Sequence, residues 1–127
     1  DPDAVAAIYS EDAVYKPAVE PVPIEGRAAI RDWIGRYPKD RLGRHVATNQ
    51  IVEVIDEDSA TGSSYAIVFR EPAPREGVIS DRVTPRSLVE YSDSYRRTAE
   101  GWKIARRVYR FDFLQREEAR RPGEAAG

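Results

Sequence analysis

Four strand-like segments follow one another through the second half of the chain, and this series limits the possible fold more than any other feature. They are rich in β-branched and aromatic residues, and side chains of different polarity alternate within them: 44–54, 60–70, 88–98 and 102–113. Short polar turns join the first two segments at Asp56 to Ser59 and the last two at Ala99 to Gly101. Because short turns connect antiparallel neighbours, the sequence predicts an antiparallel meander of four strands.

The first half of the chain has a helical pattern. Asp1 suits a helix cap and Pro2 the first helical position, which predicts a helix that ends near Ser10. A short extended piece at 12–16 and a proline-rich loop at 17–26 follow. Apolar residues then recur at helical spacing, which predicts a second helix over 27–37: Ile30, Trp33, Ile34 and Tyr37. Helices followed by a meander indicate an α+β fold, in which the helices cover one face of a curved sheet.

The 127 residues suit one domain. We expect that domain to span 1–114 and the charged residues 115–127 to form a flexible tail. The 20 basic and 22 acidic residues leave a net charge of −2 and form no basic stripe, so nucleic acid is not an expected partner. No apolar run is long enough to span a bilayer and no signal peptide is visible, so we expect a cytoplasmic protein without a membrane partner.

The residue types exclude several kinds of site. The chain has no cysteine, which excludes disulfides and thiolate chemistry. It has one histidine, which excludes a histidine-rich zinc site, and we expect no metal. No glycine-rich phosphate loop is present, and the chemistry considered below needs no cofactor.

The single histidine lies on a predicted strand beside other polar residues. Alternation places His45, Ala47 and Asn49 on one face, where a small residue separates two polar ones. A histidine titrates near neutral pH and suits proton transfer, although a structural histidine fits the same pattern. Tyr91 and Asp93 share a face of a later strand. Asp93 either orients His45, acts as a base, or forms a cross-strand pair with Arg106 or Arg107.

A series of short motifs resembles the SnoaL-like, scytalone dehydratase-like branch of the nuclear transport factor 2-like superfamily. In chain order the motifs are AAIYSEDAVY, EGRAAIRDWI, RHVATNQIVEV, SATGSSYAIVF and VEYSDSYRRTAEGWKIARRV. The resemblance implies a cone-shaped barrel, in which a curved antiparallel sheet wraps around N-terminal helices and leaves a deep pocket. It also implies a polyketide cyclase, dehydratase or isomerase activity.

The resemblance also assigns roles to individual residues. His45 matches the strand histidine of the dehydratases, Tyr15 matches their pocket tyrosine, and the face of Tyr91 and Asp93 matches their polar strand residues. The dehydratases use a further aspartate near the end of their first helical segment. That position would precede Asp1, so we expect the first helix to be truncated at its N-terminus.

We therefore predict a cofactor-independent lyase or isomerase that uses general acid–base chemistry on a hydrophobic, oxygenated ring compound such as a polyketide, steroid or terpenoid. The predicted catalytic residues are His45, Asp93 and Tyr15. The predicted substrate-binding residues are Asn49, Tyr65, Tyr91 and Trp33, although the tyrosines and Trp33 also suit a core. The alternatives are a non-catalytic binding domain, a scaffold subunit and an epoxide hydrolase-like enzyme. The resemblance further implies a homodimer formed through the outer face of the sheet, where Tyr109 and Phe111 would suit the interface.

Overall fold

A computed structural model describes residues 1–115, and it has the predicted α+β class. The elements in chain order are α1 (Pro2–Ala6), β1 (Tyr9–Lys16), β2 (Ile24–Glu25), α2 (Arg27–Gly35), β3 (Leu42–Val54), β4 (Ser59–Glu71), β5 (Ser87–Thr98) and β6 (Gly101–Leu114). Apart from Gln115, the predicted flexible tail lies outside the described residues. The second helix and the four long strands agree with the predicted elements to within a few residues.

All six strands form one curved sheet in the order β2-β1-β6-β5-β4-β3. The four long strands form the predicted antiparallel meander. The sheet also contains a pairing that the sequence did not indicate, because β1 lies parallel to β6. The short strand β2 then pairs with the other side of β1. The sheet is therefore open, with β2 and β3 as its edges.

The first helix is shorter than predicted. Asp1 caps it as expected, since its carboxylate accepts hydrogen bonds from the N–H groups of Asp3 (2.9 Å) and Ala4 (3.3 Å). The expected end near Ser10 is wrong, because α1 ends at Ala6 and Tyr9 already belongs to β1. The N–H of Ile104 donates to the carbonyl of Ile8, which draws this segment into the sheet. Long-range strand pairing thus overrides the helical spacing.

The helix α2 packs against β1 and β6. Ile30 is 0% exposed and contacts a buried cluster drawn from both strands: Tyr9, Ala13, Tyr15 and Ile104. Burying such a side chain contributes about 1.5–3 kcal/mol. Trp33 and Ile34, one turn further along α2, are only partly buried. We call the sheet face that α2 covers the inner face.

Bulges change which side chains reach the inner face. The pairing of β3 with β4 shifts register between Thr48 and Ile51. The pairing of β5 with β6 shifts between Ser94 and Tyr95, so Ile104 and Arg107 both face inward although simple alternation would separate them. Bulges of this kind bend a sheet and redirect side chains.

Candidate active site

A cavity of about 430 Å³ lies between the inner face of the sheet and α2. Seven of its described lining residues are aromatic, and they come from β1, from the C-terminal end of α2 and the residues after it, and from β5 and β6: Tyr9, Tyr15, Trp33, Tyr37, Tyr91, Tyr109 and Phe111. Its basic lining residues come from strands and their flanks: Arg41, His45, Arg70, Arg86 and Arg107. A mainly apolar concavity with a few polar groups is typical of a small-molecule site.

One end of the cavity contains a buried ion pair, and we call it the buried end. Arg107 donates two hydrogen bonds to Asp93, from Nε at 2.7 Å and from a terminal nitrogen at 2.8 Å. The Asp93 side chain is 1% exposed and that of Arg107 is 19% exposed. Although burial opposes the charge, hydrogen bonding to Asp93 raises the pKa of Arg107. This bidentate geometry is the strong form of an ion pair.

Two tyrosines complete the buried end. The hydroxyl of Tyr95 donates to the second oxygen of Asp93 at 3.1 Å. Arg107 lies over the ring of Tyr91, 4.2 Å from its centroid, which is a favourable cation–π distance. Both oxygens of Asp93 therefore accept hydrogen bonds from neighbouring side chains.

A glycine makes this arrangement possible. A Cβ on Gly62 would lie 2.8 Å from the Tyr95 ring and 3.0 Å from the carbonyl oxygen of Ile51. Because Gly62 pairs directly with Asp93 across β4 and β5, the missing side chain leaves room for the Tyr95 ring beside the carboxylate. Close packing of this kind is a common reason for glycine within a strand.

The other end of the cavity is open and basic, and we call Arg41, His45, Arg70 and Arg86 the open end. His45 lies opposite Val68 in the pairing of β3 with β4, and Arg70 is two residues beyond Val68 on the same face. The N–H of Arg86 donates to the carbonyl of Val68 at 2.7 Å. Arg41 precedes β3 and its guanidinium lies over the ring of Tyr37, 4.6 Å from the centroid.

His45 retains solvent exposure at this open end, yet its surroundings disfavour the protonated ring. Desolvation by the cavity wall lowers its pKa from 6.5, and the charges of Arg70 and Arg41 lower it further. These causes act in the same direction, so we expect a neutral imidazole at neutral pH. A neutral imidazole carries an acceptor nitrogen that is able to take a proton.

The cavity tyrosines stay protonated. Burial raises the pKa of Tyr15, Tyr91 and Tyr109, and at Tyr91 the charge of Arg107 opposes this effect only partly. The rings of Tyr15 and Trp33 meet edge to face at 5.4 Å, and those of Tyr91 and Tyr109 are also 5.4 Å apart. Neutral phenols held by such packing are available as hydrogen-bond donors toward a bound oxygen.

The structure brings four of the predicted site residues to the cavity wall: His45, Tyr15, Tyr91 and Trp33. The indole N–H of Trp33 donates to Glu20 at 3.2 Å, which fixes the orientation of the ring. Asp93 lies beyond Arg107 and is not a lining residue. It forms the predicted cross-strand pair with Arg107, and the charges that act on His45 come from Arg70 and Arg41 instead.

The structure does not bring Asn49 or Tyr65 to the cavity wall. Asn49 lies in the β3 bulge with a φ of 51°, a left-handed conformation that asparagine tolerates, and its side-chain oxygen accepts a hydrogen bond from Thr48. The bulge thus breaks the alternation that placed Asn49 beside His45. Tyr65 lies one position from Ala66 and three from Val68, so alternation puts it on the opposite, outer face.

The sequence also predicted the wrong facing for the two residues expected at a dimer interface. Tyr109 and Phe111 line the cavity and pack against the buried residues of β4 and β5, so they do not project from the outer face of the sheet. Opposite Ser94 and Tyr95, β6 contains one extra residue before Tyr109, and this bulge reverses which of the following β6 side chains face inward. The homodimer stays a prediction, without the interface that the sequence suggested for it.

Sequence reasoning missed the arginines that line the cavity. Arg70 follows Val68 on the inner face, so alternation alone would have found it. Arg107 was found only as a partner for Asp93, because the β6 bulge hides its orientation. Arg41 and Arg86 flank strands, where no periodic pattern applies.

Within residues 1–115 no cluster of three acidic or histidine side chains has a geometry suited to a metal ion. No helix in that same part of the chain is long and apolar enough to cross a membrane.

Comparisons with known proteins agree with this fold. A model of the SnoaL-like domain family matches residues 1–108. A Mycobacterium tuberculosis protein of unknown function is 26% identical with a TM-score of 0.72, and the match covers 95% of this chain and 66% of that one. A proposed scytalone dehydratase from Novosphingobium aromaticivorans is 20% identical with a TM-score of 0.70, over 98% of this chain and 82% of that one. ActVI-ORFA from Streptomyces coelicolor is 20% identical with a TM-score of 0.71, over 88% and 83%. No sequence of a curated protein matches that of this chain.

Proposed function

The chain belongs to the SnoaL-like domain family, and we propose that it is a cofactor-independent enzyme of the dehydratase, cyclase or isomerase type. Its substrate is a hydrophobic, oxygenated ring compound such as a polyketide, steroid or terpenoid. One observation carries the proposal: an imidazole with a lowered pKa and several buried neutral phenols line the same aromatic cavity. The fold shared with a proposed scytalone dehydratase supports the same class of activity.

In this proposal His45 is the general base. For a β-hydroxy ketone, its neutral imidazole takes the proton from the carbon next to the carbonyl, and the electron pair moves onto the carbonyl oxygen. The resulting imidazolium then gives that proton to the leaving hydroxyl as the enolate reforms a carbonyl, so water departs and an enone remains. General acid–base catalysis by a positioned histidine typically contributes about 10²–10⁴-fold.

Tyr15 and Tyr91 serve as hydrogen-bond donors to the enolate oxygen. Their raised pKa values keep the phenols protonated. Donors aimed at a developing negative charge in a dry site are often the largest contribution to catalysis. Trp33 provides the flat wall against which a ring packs.

Asp93 is a positioning residue in this scheme. It holds Arg107, and Arg107 in turn lies over the ring of Tyr91. Its two oxygens are committed to Arg107 and Tyr95, which argues against a direct role as a base. We assign no role in binding to Asn49 or Tyr65. The homodimer and the cytoplasmic location stay predictions.

The decisive test compares His45→Gln with the matched control Arg44→Gln. The assay follows enone absorbance on a panel of bicyclic β-hydroxy ketones. His45→Gln is expected to lower kcat by about 10²–10⁴-fold, because it removes the proton acceptor. Arg44 is the exposed neighbour of His45 on the same strand, and its replacement is expected to leave kcat unchanged. Full turnover in His45→Gln would contradict the proposal.

A second variant tests the phenol. Tyr15→Phe removes one donor and keeps the ring packing against Trp33. A loss of about 10²–10³-fold in kcat with little change in stability is expected if Tyr15 stabilises an enolate. Binding of the ring compounds without turnover by the wild type would instead favour the non-catalytic binding domain.

A further inference from the structure

The described residues that line the cavity include basic side chains and no acidic ones. Among the described lining residues there are four arginines and one histidine, and no carboxylate. At the buried end Asp93 compensates Arg107. The remaining three arginines lie at the open end: Arg41 precedes β3, Arg70 lies two residues beyond the β4 partner of His45, and Arg86 precedes β5.

Arg41 is the arginine best placed to meet a ligand. Its guanidinium carbon lies over the Tyr37 ring, 4.6 Å from the ring centroid, and Tyr37 itself lines the cavity. Stacking uses the face of a guanidinium and leaves the N–H groups at its edge able to donate. No carboxylate in residues 1–115 forms an ion pair with Arg41.

The positive charges of the arginines at the open end also act on titratable groups elsewhere in the cavity. Arg41 and Arg70 both act on His45 and on Tyr37, and Arg70 and Arg86 act on Tyr109. At each tyrosine they favour the negatively charged form of the phenol. The charges of Arg41 and Arg70 therefore act in the direction that stabilises a negative charge on a ligand at the open end.

We propose that the substrate carries a carboxylate, and that Arg41 binds this carboxylate at the open end while the ring lies among the cavity aromatics. The inference rests on the proposed function and adds the substrate class, an aromatic or alicyclic ring acid. The arginine then fixes the depth and the direction of the ring, since the carboxylate stays at the open end and the rest of the molecule points toward Tyr15 and Tyr91. This arrangement would place the ring within reach of His45, which lies beside Arg70 at the same end.

Two properties of arginine support a carboxylate rather than a neutral polar group. Its planar fork of donors matches the two oxygens of a carboxylate. Charge-assisted hydrogen bonds are about twice as strong as neutral ones. A neutral amide of the same shape would therefore bind less tightly.

The test measures binding alone, so it is independent of turnover. Isothermal titration compares 1-naphthylacetate with its neutral isostere 1-naphthylacetamide on the wild type, on Arg41→Gln and on the control Arg44→Gln. Arg44 has the same charge and lies three residues away on the exposed edge strand, so its replacement changes the net charge equally. The wild type and Arg44→Gln are expected to bind the acid about tenfold or more tightly than the amide. Arg41→Gln is expected to lose most of this preference.

Each outcome decides between the two proposals. Loss of the preference for the acid in Arg41→Gln, but not in Arg44→Gln, supports the inference. Equal binding of acid and amide by the wild type, or an equal loss in both variants, would overturn the inference and leave the acid–base proposal standing. If neither compound binds, the inference is overturned as well, and the kcat of His45→Gln on neutral ketones still tests the proposed function separately.

Discussion

The buried end and the open end of the cavity differ in how they accommodate charged side chains. At the buried end Arg107 and Asp93 form a bidentate ion pair, and the hydroxyl of Tyr95 donates a further hydrogen bond to the carboxylate. At the open end Arg41 and His45 form no ion pair with a carboxylate of residues 1–115, and His45 retains solvent exposure. The difference follows from solvation, because an uncompensated charge is costly in a dry interior and cheap near water.

This contrast distinguishes charged side chains that stabilise the fold from those that are able to contact a ligand. Satisfied side chains at the buried end hold the wall of the cavity and have little freedom to exchange partners. At the open end, Arg41 and His45 form no ion pair with a carboxylate of residues 1–115 and are the groups that we expect to contact a ligand. Perturbed titratable groups beside a cavity are candidates for function, and His45, which lines the cavity and has a lowered pKa, meets that description.

The largest expected effect comes from breaking the pair at the buried end. Asp93→Asn leaves the guanidinium of Arg107 without its buried counter-charge, and we expect the free energy of unfolding to fall by about 3–5 kcal/mol. Urea unfolding at neutral pH measures the loss.

The matched control lies on the outer face of the same two strands. Glu90 pairs with Arg110, and their side chains are 19% and 61% exposed. Because solvent screens this pair, Glu90→Gln is expected to cost no more than about 1 kcal/mol. Equal costs for the two variants would show that the buried pair has no special role in stability.

A smaller effect is expected from filling the space beside Tyr95. Gly62→Ala places a methyl group 2.8 Å from the Tyr95 ring, and overpacking of this kind costs about 1–3 kcal/mol. Gly43→Ala is the control, since nothing lies within 4 Å of its added Cβ. Thermal or urea unfolding compares the two variants. A Gly62→Ala protein as stable as the control would contradict the described contact between Gly62 and Tyr95.

The sequence predicted the bounds of the helices and strands better than it predicted which side chains face the cavity. The helix over Arg27–Gly35 and the four long strands follow from local periodicity. The parallel pairing of β1 with β6 joins residues almost a hundred positions apart, and local patterns carry no signal for it.

Within the site, alternation succeeded until a bulge intervened. It correctly grouped Tyr91 with Asp93 on one face. It failed for Asn49 at the β3 bulge and for Tyr109 beyond the β6 bulge. A bulge adds one residue to the spacing, and that single residue reverses the faces of everything that follows.

The smallest expected effect is a change in pH dependence at the open end. The general base must be deprotonated, so kcat/KM is expected to fall as the pH decreases through the pKa of His45. Desolvation, Arg70 and Arg41 lower that pKa, so the midpoint of the fall lies below pH 6.5. Arg41→Gln removes one of these causes, and its acidic limb is expected to move upward toward 6.5. A profile of kcat/KM between pH 4.5 and 8 checks both, and an unchanged limb in Arg41→Gln would contradict the assignment of Arg41 to the surroundings of His45.

The same lowered pKa affects stability. A histidine whose folded pKa lies below 6.5 binds fewer protons in the folded state than in the unfolded state over that interval. The contribution of the neutral ring is therefore fully present above pH 6.5 and is lost as the pH falls through the folded pKa. His45→Gln is expected to reduce the pH dependence of urea unfolding in this window.

Nuclear magnetic resonance titration of the His45 imidazole tests the central claim most directly, because His45 is the only histidine in the chain and its signal needs no assignment. We predict a pKa below 6.5 in the free protein and a rise when 1-naphthylacetate is added, since a bound carboxylate offsets the charges of Arg41 and Arg70. A pKa at or above 6.5 that does not respond to the compound would place His45 outside any ligand site and contradict the account.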